Sequence, residues 1–235
     1  LTDLLGTSIE RGFELLPAKW NERIQALTRS ALDRALGVAI GTLNVSATGK
    51  ASPRRHKAAV ALTGAGGGAF GLAALALELP ISTTIMLRSI AEIARGHGED
   101  LRTVEGRLAC LEVFALGGRS PDDDAAESGY FMVRAVLAKA VSDAAEHVAR
   151  RGLANEAAPA VVRLVGAIAG RFGIVVSEKA AAMAVPAVGA VGGAVINAMF
   201  MDHFQKMAEG HFTVRALERR LGFDAVREAY ERLGG

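Results

Sequence analysis

Two stretches without a charged residue most constrain this chain: Ala58–Leu77, twenty residues long, and Ala180–Met201, twenty-two residues long. Runs this apolar have to leave water, into a protein core or into lipid. Both are punctuated by glycines four residues apart: Gly64 and Gly68, Gly67 and Gly71, Gly189 and Gly193. That spacing places each pair on one helix face, where small residues let two backbones approach closely. A glycine costs a helix about 1 kcal/mol against alanine, so close packing is the compensation the pattern calls for. The spacing predicts that the two stretches pack on each other at the centre of the molecule, with Gly64, Gly68, Gly189 and Gly193 near the contact.

Twenty helical residues would span about 30 Å, the thickness of a bilayer core. Glycine and alanine are nevertheless poorer lipid-facing residues than leucine, isoleucine or phenylalanine. Glu78 directly follows the first stretch, and Asn197 lies within the second. Buried helices, a hairpin that dips into or docks on a membrane, and true spans all fit these facts. GAGGGAFGLAA at 64–74 and GAVGGAVINAM at 189–199 share six of eleven positions, too little in glycine-rich sequence to establish a repeat.

Elsewhere the periodicity is helical. The composition is 51% hydrophobic but only 5% aromatic, so the apolar weight lies in alanine, leucine, valine and isoleucine. Leu27, Leu32, Leu36 and Ile40 fall on one helix face. Asp100 reads as the N-cap of a helix with Leu101, Val104, Leu108, Leu111 and Ala115 on one side, ending at Gly117 and Gly118. Pro80 reads as a helix break or start. Ser120-Pro121-Asp122-Asp123 reads as a helix start running to Arg150 or Arg151. Residues 154–178 read as helix with a break near Gly170–Gly173. Thr213 reads as the cap of a short helix ending at Gly222, and Asp224 starts a last one. There is no alternating strand and no hairpin signal. The 235 residues show no linker, so the expectation is a single all-α, compact multi-helix domain over 1–235.

A net charge of +2 is too small to argue for nucleic acid, and no nucleic-acid-binding motif is present. A lone cysteine, Cys110, rules out an intrachain disulfide and fits a reducing compartment. The first twenty residues carry no signal-peptide pattern. Gly66-Gly67-Gly68-Ala69-Phe70-Gly71 matches GxGxxG but lacks the strands a dinucleotide fold needs. The histidines (His56, His97, His147, His203, His211) show no metal-ligand spacing, so neither metal nor cofactor is expected.

The polar residues in apolar company are the candidate site. Glu78 is the only charge from Ala58 to Leu87, and Glu112 the only one in LACLEVFAL. Arg88 and Glu92 stand four apart on a stripe with Thr84 and Arg95. An unpaired buried charge is costly, so Arg88 is expected to be the hub of a cluster with Glu92 and at least one of Glu78 and Glu112. Glu78, Arg88, Glu92, Glu112, Asn197 and His203 are the candidate ligand-binding residues, and none is assigned a catalytic role. The basic cluster Lys50, Arg54, Arg55 and Lys57, just ahead of the first uncharged stretch, suits an anionic membrane surface.

GGGAFGLAALALELPISTTIMLRSIAEIARGHGEDL at 66–101, CLEVFALGG at 110–118 and GGAVINAMFMDHFQKMAEGHFTVRALE at 192–218 resemble the EcsC protein family. The resemblance implies a bacterial protein on the cytoplasmic side, peripheral to the inner membrane, linked to an ABC transporter of protein secretion. It transfers no catalytic residue. It marks Glu78, Pro80, Arg88, Glu92, Glu112, Asn197, Phe200, His203, His211 and Phe212 as family-like positions. The expectation is a helical accessory protein that binds lipid or a membrane surface, with a membrane transporter as a further partner. The alternatives are a hydrolase using Glu78, Glu112 or His203, and a purely structural interaction module.

Overall fold

A computed structural model of the chain describes residues 13–14, 16–17, 19–43, 58, 60, 75–118, 129–151, 158–184 and 189–233. Among these residues there are seven helices and no strand: α1 Trp20–Thr42, α2 Leu75–Gly96, α3 Val104–Leu116, α4 Gly129–Arg151, α5 Pro159–Ala184, α6 Gly189–Leu221 and α7 Phe223–Leu233. The all-α expectation holds.

α1 buries Trp20, Ile24, Thr28, Ala31, Leu32, Ala35, Leu36 and Ala39, a stripe of three- and four-residue steps. That stripe lies against α2 and α5. α2 and α6 run parallel, held by three side-chain ties at one constant sequence offset. Gln205 Nε2 donates to Ser89 Oγ at 2.9 Å, Thr213 Oγ1 pairs with His97 Nε2 at 3.2 Å, and Arg215 bonds Glu99 at 2.6 Å. α3 is buried on every side from Gly106 to Ala115. The one-sided stripe read from its leucines therefore understates it: a helix apolar all round belongs inside. Phe114, Phe172, Phe200 and Phe204, from α3, α5 and α6, form the aromatic centre, with centroids from 4.9 Å (Phe114 to Phe172) to 6.0 Å (Phe172 to Phe200).

Several boundaries differ from expectation for identifiable reasons. Pro80 lies inside α2, five residues after its first described residue, Leu75. Thr103, not Asp100, caps α3: its Oγ1 accepts from Gly106 N at 3.0 Å, while the Asp100 carboxylate accepts from Arg102 N. α5 runs unbroken through Gly170–Gly173, because Gly173 serves packing: a Cβ there would stand 2.7 Å from Gln25 Nε2 of α1. Thr213 lies within α6, which continues past it to Gly222, where φ of +91° suits glycine. The Ser120–Asp123 start and the Gly64–Gly71 cluster lie outside the described residues.

The second uncharged stretch is not one helix. Phe200 lies with its ring 4.8 Å from Lys179 Nζ, twenty-one positions earlier. A continuous helix would separate the two by about 30 Å. The stretch is shared between the end of α5 and the start of α6, with Pro186 between them in the sequence. Gly193 is buried, and Asn197 Nδ2 donates to the Val60 carbonyl at 2.9 Å, so the two uncharged stretches do meet.

Candidate functional site

The candidate residues are not gathered in one place. Glu78 accepts a hydrogen bond from Lys179 Nζ, both side chains being closed to solvent. Burial pulls the Lys179 ammonium below its ordinary pKa, opposed by the charge and hydrogen bond of Glu78. Arg88 is not a hub. It lies on the exposed face of α2 with Leu77 and Ile81, while Glu78, Ser82, Met86, Ser89 and Ile93 turn inward. Four-residue spacing puts Arg88 and Glu92 on a common face, but the apolar residues between them, not that spacing, decide which face is inside. Glu78 and Glu112 take other neighbours. Asn197 ties the two uncharged stretches, and His203 Nε2 hydrogen-bonds the Gly117 carbonyl at 2.7 Å. Lys50, Arg54, Arg55 and Lys57 lie outside the described residues.

Glu112 is where a site forms. It projects from α3 into a cleft of about 360 Å³ bounded by α3, α4, α6 and α7. Ala109, Phe131, Ala135, Ala138, Val141 and Phe223 make its apolar walls, and Glu112, Arg134, Arg215 and the exposed Glu105 supply its charges. Arg134 forms a two-pronged pair with Glu218, at 2.7 and 3.0 Å, and Arg215 a second with Glu99, at 2.6 and 3.1 Å. Arg219 also reaches Glu99, at 2.7 Å. Burial pushes the Glu99 carboxyl up, but the hydrogen bonds and charges of Arg215 and Arg219 outweigh it and hold the group below its usual range. Glu112, in contrast, accepts no hydrogen bond from a described residue. Burial pushes its pKa up to about 7, against the nearby charges of Arg215 and Arg134.

Behind Glu112 stands His211, fully buried, its Nε2 at 3.9 Å from Glu112 Oε2. Its Nδ1 lies 3.0 Å from the Tyr130 hydroxyl, which also takes a long contact of 3.4 Å from Arg134 Nη1. A guanidinium only donates, so Tyr130 oxygen accepts from Arg134 and gives its own proton to His211 Nδ1. The neutral imidazole then carries its proton on Nε2, toward Glu112. Burial, with the charges of Arg215 and Arg134, holds His211 well below its ordinary pKa and so neutral. A second cavity of about 330 Å³ opens on the far side of this relay, with His203, Tyr130, Tyr230 and His211 in its lining.

Sequence reading found Glu112 from its isolation in an apolar run, and His211 only through the family resemblance. It missed Tyr130, Arg134, Glu99, Arg215, Glu218 and Lys179. Lys179 did leave a signal: it directly precedes the second uncharged stretch, as Glu78 directly follows the first. The others sit among ordinary surface-like charges with nothing local to mark them. Among the described residues no group of three or more histidine, cysteine or acidic side chains is placed to hold a metal ion.

Fold and cleft together define an all-helical protein whose apolar cleft ends in a buried carboxyl and two paired arginines. The chain belongs to the EcsC protein family, which it matches over residues 11–217. Neither a curated protein nor a solved structure matches it.

Proposed function

We propose that this chain is a helical accessory module, peripheral to the cytoplasmic face of the inner membrane, that takes an amphipathic molecule such as a lipid into the cleft between α3, α4, α6 and α7. The observation that carries this reading is the pairing of apolar walls with a cluster of charges at one end, Glu112, Arg134 and Arg215, while the other polar lining residues, Glu105 and Ser142, stand two helical turns away on α3 and α4. Apolar lining with a few convergent polar groups is how small-molecule sites gain affinity and orientation. Phe223, about half exposed at 49%, leaves an apolar lip at the cleft that suits a hydrocarbon chain. Action at the membrane, beside a transporter, is supported by the family resemblance and by Lys50, Arg54, Arg55 and Lys57 ahead of an uncharged stretch. One described helix, α5, is also long and apolar enough to cross a membrane by length and composition, with half of that apolar window buried within the protein.

Native mass spectrometry of protein purified from its host tests the reading. A co-purified amphiphile displaced by filling the cleft with Ala135→Trp supports it. A bare protein that also binds no added lipid refutes it. Glu112 beside His211 favours one competing reading, a hydrolase with Glu112 as general base. Turnover of an ester substrate abolished by Glu112→Gln would establish that instead.

A further inference from the structure

We infer that the head group received at the polar end of the cleft is a neutral, hydroxyl-bearing one, an alcohol or polyol, and not an anion or an amine. The inference rests on the amphiphile reading above and deepens it. Its basis is an account of which polar groups at that end are already committed.

Four charged groups line the cleft: Glu112, Arg134 and Arg215 at its polar end, and Glu105, which is exposed and stands two turns, about 10 Å, further back along α3. Both guanidiniums face carboxylates in two-pronged pairs, Arg134 with Glu218 and Arg215 with Glu99. The Arg134 pair is largely shielded, with side chains 15% and 12% exposed. An incoming carboxylate or phosphate could reach only the N–H groups left over by Glu218 and Glu99, on guanidiniums whose charge those carboxylates already balance, and would settle beside the Glu112 carboxylate. Like charges in a poorly hydrated site repel strongly, so an anion is disfavoured.

A protonated amine would find an acceptor in Glu112. It would also sit among Arg134 and Arg215, whose positive charges already act on the Glu112 carboxyl. The nearest further group, His211 Nε2, is a donor by the tautomer that Tyr130 and Arg134 impose. An ammonium has only donors to offer and at this end meets one acceptor, Glu112, the exposed Glu105 being two helical turns away.

A hydroxyl both donates and accepts. Its proton goes to Glu112, the one buried lining charge that accepts no hydrogen bond from a described residue. Its lone pairs face the guanidinium N–H groups not engaged by Glu218 and Glu99, since each fork carries five donors. A head with two neighbouring hydroxyls uses this acceptor-and-donor end better than one. The uncommitted carboxyl also separates Glu112 from the other shielded acids among the described residues: Glu78 has Lys179, Glu99 has Arg215 and Arg219, and Glu218 has Arg134.

The test uses three amphiphiles with the same fourteen-carbon chain: the monoacylglycerol, the fatty carboxylate and the primary amine. Dissociation constants are measured by calorimetry at pH 8, each ligand below its micellar concentration. The monoacylglycerol is expected to bind at least about tenfold tighter than either charged ligand, one unsatisfied buried polar group being enough for such a difference. Glu112→Leu should remove that preference. Glu112→Gln, which keeps an acceptor oxygen and the shape of the side chain, should hold monoacylglycerol affinity within about threefold while the carboxylate gains, because the repelling charge is gone. Should the leucine variant fail to fold, the glutamine variant alone decides. Tighter binding of the carboxylate or the amine by the parent protein overturns the inference and leaves the amphiphile reading standing. Binding of none of the three overturns both.

Discussion

Lys179 Nζ donates to Glu78 Oε1 at a point where neither side chain meets solvent, with the Phe200 ring under the ammonium at 4.8 Å. Glu78 follows the first uncharged stretch and Lys179 precedes the second. Val60 and Asn197 are joined eighteen positions further into each stretch (60 against 78, 197 against 179). The two buried ties together fix where the two uncharged stretches meet. Apolar surfaces alone specify register weakly, because sliding one past another costs little, whereas a buried charge has one acceptable partner.

Lys179→Met should therefore destabilise the protein by about 3–5 kcal/mol, because it strands the Glu78 carboxylate in an apolar interior. The double variant Lys179→Met, Glu78→Leu should recover most of that loss. Urea unfolding of the four proteins in the cycle measures both. A double variant no more stable than Lys179→Met alone would show that the pair is not the source of the effect.

Glu112 makes stability depend on pH. Its folded pKa, about 7, is above the ordinary 4.5, so the folded protein binds more protons than the unfolded chain between those values. The contribution is present in full below about pH 4.5 and is lost as pH rises through about 7. Glu112→Gln removes the titration and should raise stability at pH 8 by an amount on the order of 3 kcal/mol, with little effect near pH 5. Melting temperatures of parent and variant across pH 5–8 check this; parallel curves would contradict it.

Two glycines should respond oppositely to alanine. A methyl on Gly118 would collide with the Arg171 carbonyl oxygen, at the place where the Arg171 side chain bonds Ala115 O and Gly118 O at 3.0 and 2.7 Å. Gly118→Ala should cost about 1–3 kcal/mol through forced displacement of α5 from α3. Gly170, exposed in the middle of α5, has nothing within 4 Å of its would-be Cβ. Gly170→Ala should stabilise by about 0.5–1 kcal/mol through helix propensity. Chemical denaturation of each variant against the parent gives sign and size.

Neutralising Arg54, Arg55 and Lys57 together should weaken sedimentation with anionic vesicles, each basic residue near such a surface contributing about 1 kcal/mol. Binding that is unchanged in the triple variant, or absent in the parent at low salt, would remove the membrane-surface part of the proposed function.

Helix content, the alanine and leucine faces and the glycine stop at Gly222 were legible in the sequence, because propensity, periodicity and positive φ are local properties. So was the importance of Glu112, since a charge inside LACLEVFAL has to be accommodated somewhere. What surrounds it was not legible. Arg134 and Glu218, eighty-four positions apart, and Tyr130 and His211, eighty-one apart, meet only because α4 lies across α3 near the end of the long α6. The failed Arg88 hub has the same origin: spacing says which residues share a helix face, and only the neighbouring helices say which face is inside. Local sequence thus determined the elements and the one charge that needed explaining. The tertiary structure decided its surroundings, because pairing between distant helices is set by the packing of all of them at once and leaves no periodic trace in any one.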